Sequence, residues 1–203
     1  MDLKKLEERL NGRKDKIMPS KALKIFLEII EVFVLALIVA LPIRFFFFQP
    51  FLVSGSSMEP NFHSGEYLLV DEITYRFREP KRGEVIVFRS PQNPMIFLIK
   101  RIIALPGETI EISEGKVKIW NLKFPQGKVL NEPYIKGPTP GNLKLTLKKN
   151  EYFVLGDNRS HSSDSRSFGP ILRKDIIGRA WLSISPSKGI HLFSSPNYIF
   201  NSQ

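Results

Sequence analysis

The sequence predicts an all-β domain that follows a single N-terminal apolar helix. Fifteen Pro and thirteen Gly in 203 residues, with many Val, Ile and Phe, favour short strands and tight turns over a helical bundle. Apolar residues form one long stretch, at residues 25–48. The chain contains no cysteine, so a disulfide scaffold, thiolate metal ligands and a cysteine nucleophile are all excluded.

The apolar stretch at residues 25–48 is the first predicted element. Its charge-free centre, Val32 to Ile43, has only 12 residues, whereas a spanning helix needs about 20. The whole stretch has 24 residues, which is long enough to span a membrane as a helix at about 1.5 Å per residue. Its charges can be accommodated at the two interfaces, because Lys24 and Glu28 can pair at one and Arg44 can snorkel at the other. We predict a transmembrane anchor at 25–48; an amphipathic or buried helix is the alternative.

The charge of the N-terminal flank predicts the orientation of this anchor. Eight basic residues meet four acidic ones in the first 24 positions, and the positive-inside rule keeps such a flank in the cytoplasm. Residues 1–24 are therefore predicted to be cytoplasmic and residues 49–203 extracytoplasmic. A cleavable signal peptide shares this layout, but the basic region is long and no small-x-small site precedes a polar start. The net charge of +10 favours anionic lipid near the anchor, and no nucleic-acid partner is predicted.

Short strands are predicted to follow the anchor in order. They are Tyr67–Val70, Glu84–Phe88, Met95–Ile103, Thr109–Ile112, Lys116–Trp120, Tyr152–Leu155 and Asp175–Leu182. Ser113-Glu114-Gly115 reads as the turn of a hairpin. Residues 121–149 are rich in Pro, Gly and Lys, and we predict a loop-rich insertion there, made of loops and short strands. The tail after Pro186 packs on the domain or touches the membrane interface, and the sequence does not distinguish the two.

Ser57 is the first candidate for chemistry, within Ser56-Ser57-Met58-Glu59-Pro60. A serine hydroxyl becomes a nucleophile only when a neighbouring base takes its proton. Gly55 permits a tight turn, and such a turn can aim backbone N–H groups at a developing oxyanion. An ordinary Ser/Gly loop is the commoner explanation of such a motif when it stands alone.

Lys100 is the candidate base. In a strand, alternate residues share a face, so Lys100 lies between Leu98 and Ile102 on one side of the predicted strand. If that face is covered, desolvation disfavours the charged amine and lowers the lysine pKa. A neutral amine can then accept the serine proton. The alternative is a lysine at a strand edge that reaches solvent.

The polar loop from Gly156 to Arg166 supplies the predicted support. Arg101 faces the side of the strand opposite Lys100, and a buried guanidinium needs a partner. We predict an Arg101–Asp164–Arg166 ion network, with Ser162 orienting the Lys100 amine as the third group does in a triad. His161 in the same loop is a competing base. No spacing indicates a metal site and no phosphate loop is present, so no cofactor is predicted.

Four ordered motifs resemble those of bacterial type I signal peptidases, the membrane-bound Ser-Lys endopeptidases that remove signal peptides. The motifs are Ser57-Met58-x-Pro60, Arg82 to Phe88, Lys100 to Glu108, and Gly156 to Arg166, all after the predicted anchor. The resemblance implies an all-β catalytic domain of coiled antiparallel sheets at the membrane. It also implies cleavage after small residues, typically Ala-x-Ala, with the signal peptide bound as an added strand.

The resemblance assigns roles residue by residue. It implies that Ser57 is the nucleophile and Lys100 the general base, with Ser162 orienting Lys100. The Ser57 backbone N–H contributes to the oxyanion hole, with Gly55 beside it, while Val53 and Ser54 edge the substrate pocket. The structural support is expected from Arg101, Asp157, Asn158, Asp164 and Arg166.

The sequence also departs from the family pattern. Where some members place an oxyanion-binding serine, this chain has Gly55, so backbone donors carry that role. Asn61-Phe62 replaces a common Thr-Leu, and Ala104 replaces a common glycine of the lysine motif. The dyad itself is intact.

The partners implied are secretory preproteins and membrane lipid, and we expect a monomer. Two other functions compete. A self-cleaving repressor would use a similar dyad, but it needs a helix-turn-helix where this chain has the apolar stretch. A non-catalytic tethered domain would not be expected to keep Ser57, Lys100 and Ser162. A thylakoid or mitochondrial source is also compatible with the motifs.

Overall fold

The computed structural model describes residues 21–46, 48–185 and 189–193. It divides into two units, Met1–Ile43 and Arg44–Gln203. In the first unit, helix α1 (Lys21–Phe46) carries apolar side chains that are largely exposed, such as Ile25, Phe33 and Ile38. Among the described residues, no helix is both long enough and apolar enough to cross a membrane. The predicted cytoplasmic segment before Lys21 and the tail from residue 194 onward lie outside the described residues.

The second unit is mostly β. Its first sheet contains β1 (Phe48–Leu52), β2 (Tyr67–Asp71), β3 (Val85–Arg89), β4 (Phe97–Ala104), β9 (Glu151–Leu155), β10 (Ile171–Leu172), β11 (Ile176–Ser185) and β12 (Gly189–Leu192). The strands lie in the order β1-β2-β11-β3-β4-β9-β10, with β12 paired to β11, and every pairing is antiparallel. Register shifts in β4 and β11 increase the local twist, so the sheet curls. The predicted mostly β fold is confirmed.

The second sheet contains β5 (Thr109–Ser113), β6 (Lys116–Asn121), β7 (Phe124–Val129) and β8 (Leu143–Thr146), in the order β7-β6-β5-β8. The predicted β5–β6 hairpin is present. Its turn residues Glu114 and Gly115 have φ values of 50° and 74°, the left-handed pair that a type I′ turn requires. Residues 121–149 supply two short strands, β7 and β8, in addition to loops. Leu130 and Leu147 from this segment are buried in the core between the sheets.

Three short helical segments complete the second unit: α2 (Thr74–Phe77), α3 (Ser165–Phe168) and a 3-10 turn at Arg173–Asp175. One apolar cluster positions the loop between β1 and β2. Val53 and Met58 are 5% and 1% exposed, and both pack with Leu68 and Val87. The residues between them, Ser54 to Ser56, are exposed. Burial on either side therefore holds a short polar loop against the sheet.

Candidate active site

Ser57 lies in this short polar loop, immediately before the buried Met58. Gly55 has a φ of 92°, a backbone conformation that costs glycine nothing and other residues much more. The Glu59 N–H donates to the Ser56 carbonyl at 3.1 Å, which closes a tight turn around Ser57. The loop therefore presents the serine hydroxyl at a turn whose geometry depends on Gly55.

The Ser57 hydroxyl lies against the Lys100 amine. Lys100 Nζ and Ser57 Oγ form a 2.7 Å hydrogen bond, and Nζ also donates to the Ile99 carbonyl at 2.9 Å. Lys100 is 3% exposed. Desolvation by burial lowers the pKa of Lys100 to about 8, although the carboxylates of Asp164 and Asp157 act in the opposite direction. The burial and the lowered pKa agree with the strand-alternation argument.

The register of β4 explains where Lys100 stands. On one edge of β4, Lys100 lies opposite Ile86 of β3. On the other edge, pairing with β9 reaches Arg101 opposite Leu155 and extends no further toward the start of β4. Lys100 is thus the first residue beyond the end of β9, and its side chain is placed where the chain turns away from the sheet at Gly156.

Gly156 allows the serine loop to approach. A Cβ on Gly156 would lie 2.2 Å from Ser162 Oγ and 2.5 Å from the Ser57 carbonyl oxygen, closer than atoms can pack. The need for glycine here comes from close approach of the backbone. Sequence reasoning did not single out Gly156, although a glycine directly after a buried strand was a usable signal.

Ser162 lies beside Gly156 and does not contact the Lys100 amine. Its Oγ is buried and has no hydrogen-bond partner among the described residues. The predicted hydrogen bond from Ser162 to Lys100 is therefore not formed in this structure. His161 is exposed, so of the two candidate bases it is Lys100 that contacts Ser57.

The predicted Arg101–Asp164–Arg166 network is only partly correct, since it gives Arg101 the wrong partner. Arg101 instead pairs with Asp157, through Nε at 2.8 Å and Nη2 at 2.6 Å, and donates to the Gly83 carbonyl at 2.9 Å. Its guanidinium also lies over the Tyr134 ring, 4.1 Å from the centroid. Leu155 pairs with Arg101, and Asp157 comes two residues after Leu155. Because alternate residues of an extended segment share a face, the Asp157 carboxylate lies next to the Arg101 guanidinium.

Asp164 and Arg166 form a separate pair. Arg166 donates to Asp164 through Nε at 2.8 Å and Nη2 at 2.7 Å. The Asp164 side chain also accepts from the Arg166 N–H at the start of α3, and from the Gly156 N–H at 3.1 Å. The predicted Asp164–Arg166 contact is present, and Asp164 holds the loop at Gly156.

Two asparagines tie the serine loop to the residues after β9. The Asn158 N–H donates to the Ser57 carbonyl at 3.0 Å and its amide donates to the Ser56 carbonyl at 3.1 Å. Asn61 donates to Asp157 at 2.8 Å and to the Tyr134 carbonyl at 2.9 Å. Asn61 and Tyr134 were not predicted as site residues, since the sequence alone does not indicate that residues 61, 134 and 157 meet.

A narrow cleft leads to the Ser57–Lys100 pair. It has a volume of about 130 Å³ and is lined by Phe51 to Ser54, Ser57, Leu68, Val87 and Phe97 to Lys100. Val53 is buried at one side and Ser54 is exposed at the rim. A larger cleft beside Arg101 and Tyr134 contains neither Ser57 nor Lys100, so the narrow cleft is the candidate substrate site. Among the described residues, no group of His, Asp or Glu could hold a metal ion.

The chain is similar in sequence to known proteins over most of its length. Residues 26–184 match the family model described as signal peptidase, peptidase S26. The chain is 36% identical over 175 residues to a probable signal peptidase I-2 of Synechocystis, covering 83% of this chain and 78% of the relative. It is 34% identical over 160 residues to signal peptidase I V of Bacillus subtilis, covering 71% of this chain and 90% of the relative.

A crystal structure of a signal peptidase I from Enterococcus faecalis matches with a TM-score of 0.44 and 32% identity, covering 50% of this chain and 97% of that chain. The family model spans most of the chain, and the two relatives share about a third of their residues with it. This chain therefore belongs to the signal peptidase family, peptidase S26.

Proposed function

We propose that this protein is a signal peptidase I, an endopeptidase that removes N-terminal signal peptides from exported proteins after small residues of the Ala-x-Ala type. The observation that carries the proposal is the 2.7 Å contact between Lys100 Nζ and Ser57 Oγ at the end of a narrow cleft. The similarity to relatives named signal peptidase I supports the same activity.

The proposed mechanism uses Ser57 as nucleophile and Lys100 as general base. The neutral Lys100 amine takes the Ser57 proton while Oγ attacks the scissile carbonyl. The Ser57 backbone N–H, aimed by the turn at Gly55, stabilises the oxyanion. Lys100 then gives its proton to the leaving amine. In the second half, Lys100 takes a proton from water while the water oxygen attacks the acyl-enzyme ester. Lys100 then returns this proton to Ser57 Oγ as the ester C–O bond breaks, which releases the signal peptide and restores Ser57.

The signal peptide is proposed to bind as an added strand. β9 pairs with β4 from Arg101 onward, so the edge of β4 from Phe97 to Lys100 has no strand from β9 beside it. An extended peptide can hydrogen-bond along such an edge. It would lie between β4 and residues 51–54, where the small volume of the cleft and buried Val53 favour small side chains.

The remaining predicted residues are proposed to position the dyad. Ser162 Oγ lies beside Gly156. A rotation about the Ser162 Cα–Cβ bond would change the distance between this oxygen and Lys100. Arg101 and Asp157 tie β4 to the loop that follows β9, while Asn158 braces the Ser57 turn. Asp164 and Arg166 fix the Gly156 end of that loop.

The direct test is cleavage of a synthetic signal-peptide substrate ending in Ala-x-Ala, with the full chain in detergent or lipid. We expect wild-type cleavage, loss with Ser57→Ala, and near wild-type rates with His161→Ala. His161 is the matched control because it lies in the neighbouring loop and is exposed. Loss with His161→Ala but not with Lys100→Ala would replace the Ser-Lys dyad with a Ser-His mechanism.

The pH dependence of cleavage follows from the Lys100 pKa. The base must be neutral, and burial lowers the pKa of Lys100 to about 8. We therefore expect kcat/KM to rise about tenfold per pH unit below pH 8 and to level off above it. The measurement is a pH profile of wild-type kcat/KM between pH 6 and 10. A profile that is flat below pH 8 would rule out Lys100 as the base.

We further propose that residues 25–48 anchor the enzyme in the cytoplasmic membrane in a single pass, with residues 1–24 in the cytoplasm, and that the enzyme acts as a monomer. The exposed apolar side chains of α1 and the basic flank support this location. We expect the protein to stay in the membrane fraction after alkaline carbonate washing. Release of the full chain into the supernatant would contradict the anchor.

A further inference from the structure

A second cleft is lined by Ser162, which does not line the proposed signal-peptide cleft. It has a volume of about 390 Å³. One wall is formed by Pro140 to Leu143, just before and into β8, and the other by Ser160, Ser162 and Ser167. The buried Ser162 Oγ, which has no partner among the described residues, belongs to this wall.

The chemistry of the proposed reaction fixes the direction in which the substrate leaves the dyad. The proton that Lys100 takes from Ser57 must pass to the amine of the leaving peptide. The first residue after the scissile bond therefore has to lie against the Lys100 amine. The cleft that ends at Ser57 and Lys100 is already filled by the residues before that bond, so the chain after it must continue elsewhere.

The residues around Gly156 connect Lys100 to the second cleft. Gly156 directly follows Leu155, whose partner Arg101 is the neighbour of Lys100. Ser162 Oγ and the Ser57 carbonyl oxygen both lie within 2.5 Å of the Cβ position of Gly156. A peptide that passes Ser57 on the Lys100 side thus reaches Ser162 next. A third cleft, beside Glu59, His63 and His161, is lined by Asn158, whose N–H donates to the Ser57 carbonyl, but not by Ser162.

We infer that the cleft between Pro140–Leu143 and Ser160–Ser167 holds the first residues after the cleavage site, the new N-terminus of the exported protein. This inference rests on the proposed function. It gives the 121–149 segment a role in choosing substrates, because Pro140 to Leu143 form one wall.

The lining of the cleft leaves no arginine unpaired. Its two arginines pair with carboxylates, Arg166 with Asp164 and Arg159 with Glu132. The rest of the lining combines apolar side chains, such as Pro140 and Leu143, with serines, backbone and the exposed side chain of Asn142. A single charge placed at Asn142 would lie beside the bound segment and act on its charged residues.

The test compares two substrates that have identical residues before the cut and either Asp or Lys at the second and third positions after it. The enzyme variants are Asn142→Asp and Asn131→Asp, each in the full chain. Asn131 is the matched control, because it is exposed in the same segment but lines none of the three clefts. We expect Asn142→Asp to shift the Lys/Asp ratio of kcat/KM toward Lys by roughly threefold or more, the size of an exposed charge pair, and Asn131→Asp to leave the ratio unchanged.

An unchanged Lys/Asp ratio of kcat/KM in Asn142→Asp, or an equal shift in Asn131→Asp, would overturn the inference. The proposed function would still stand in that case if both substrates were cleaved in a Ser57-dependent way. Absence of that cleavage in the wild type would overturn the proposed function and the inference with it. A second measurement does not depend on turnover. A photoreactive residue at the third position after the cut should cross-link the Ser57→Ala variant at residues 140–143; cross-links at residues 59–63 would place the exported chain in the third cleft and contradict the inference.

Discussion

Replacement of Lys100 by methionine is expected to abolish cleavage and to make the protein more stable. Methionine fills the space of the buried side chain but cannot accept the Ser57 proton, so kcat/KM should fall roughly 10²- to 10⁴-fold. Burial lowers the pKa of Lys100 from 10.5 to about 8, which corresponds to roughly 3 kcal/mol of folding free energy. At pH 7 both folded and unfolded chains carry the charge, so the variant should be more stable by up to about this amount.

The sign of the pH dependence gives a sharper readout than stability at one pH. Between pH 8 and 10.5 the unfolded wild type binds the Lys100 proton and the folded form does not. Wild-type stability relative to Lys100→Met therefore rises with pH across this window. Chemical denaturation of both proteins at pH 7 and pH 10 measures the change. Lys148→Met, at a side chain that is 86% exposed, is the control and should alter neither activity nor stability. A Lys100→Met protein that is less stable than wild type at pH 7 would contradict the inference that burial of the charged Lys100 amine lowers the free energy of unfolding.

The apolar setting of the Lys100 amine was predictable from its local neighbours. Strand alternation placed Leu98 and Ile102 on the same face as Lys100, whereas the covering of that face depends on the rest of the fold. The serine turn and the β5–β6 hairpin were predictable for a similar reason, since Gly55 and Gly115 mark positive φ values. Local patterns therefore indicated which groups could react.

The partner of Arg101 was not predictable by the same means. Asp157 and Asp164 are both in the loop after β9, and the choice between them depends on the register of β9 against β4. Register is set by pairing across the sheet, which a single sequence does not reveal. The Asp164 side chain, moreover, caps the start of α3 and forms an ion pair with Arg166.

Two of the strands that sequence analysis did not list, β1 and β7, have a physical feature in common. β1 contains Pro50, and β7 contains Pro125 and Gly127, residues that argue against a strand. Both strands lie at the end of a sheet, where a missing N–H costs no ladder hydrogen bond. Edge position is a tertiary property, so the composition of 121–149 predicts loops and short strands there but does not show where β7 lies.

The Arg101–Asp157 pair should be the most sensitive electrostatic contact of the domain. The Asp157 side chain is fully buried and that of Arg101 is 7% exposed. Asp157→Asn keeps the shape but removes the charge that compensates the guanidinium, and it weakens the contact with Asn61 beneath the serine loop. We expect a loss of about 3 to 5 kcal/mol in the free energy of unfolding, measured by urea denaturation of the full chain in detergent.

A matched surface change separates this effect from loss of a carboxylate in general. Glu111→Gln removes the charge opposite Lys144, at a distance of 3.6 Å and with the lysine side chain 61% exposed; it should cost less than about 1 kcal/mol. Adding Arg101→Met to Asp157→Asn removes the unpaired buried charge and should recover part of the stability, because the cost arises from the orphaned guanidinium. A double variant less stable than Asp157→Asn alone would mean that Arg101 stabilises the fold mainly through Gly83 and Tyr134, and that the pair with Asp157 is of secondary importance.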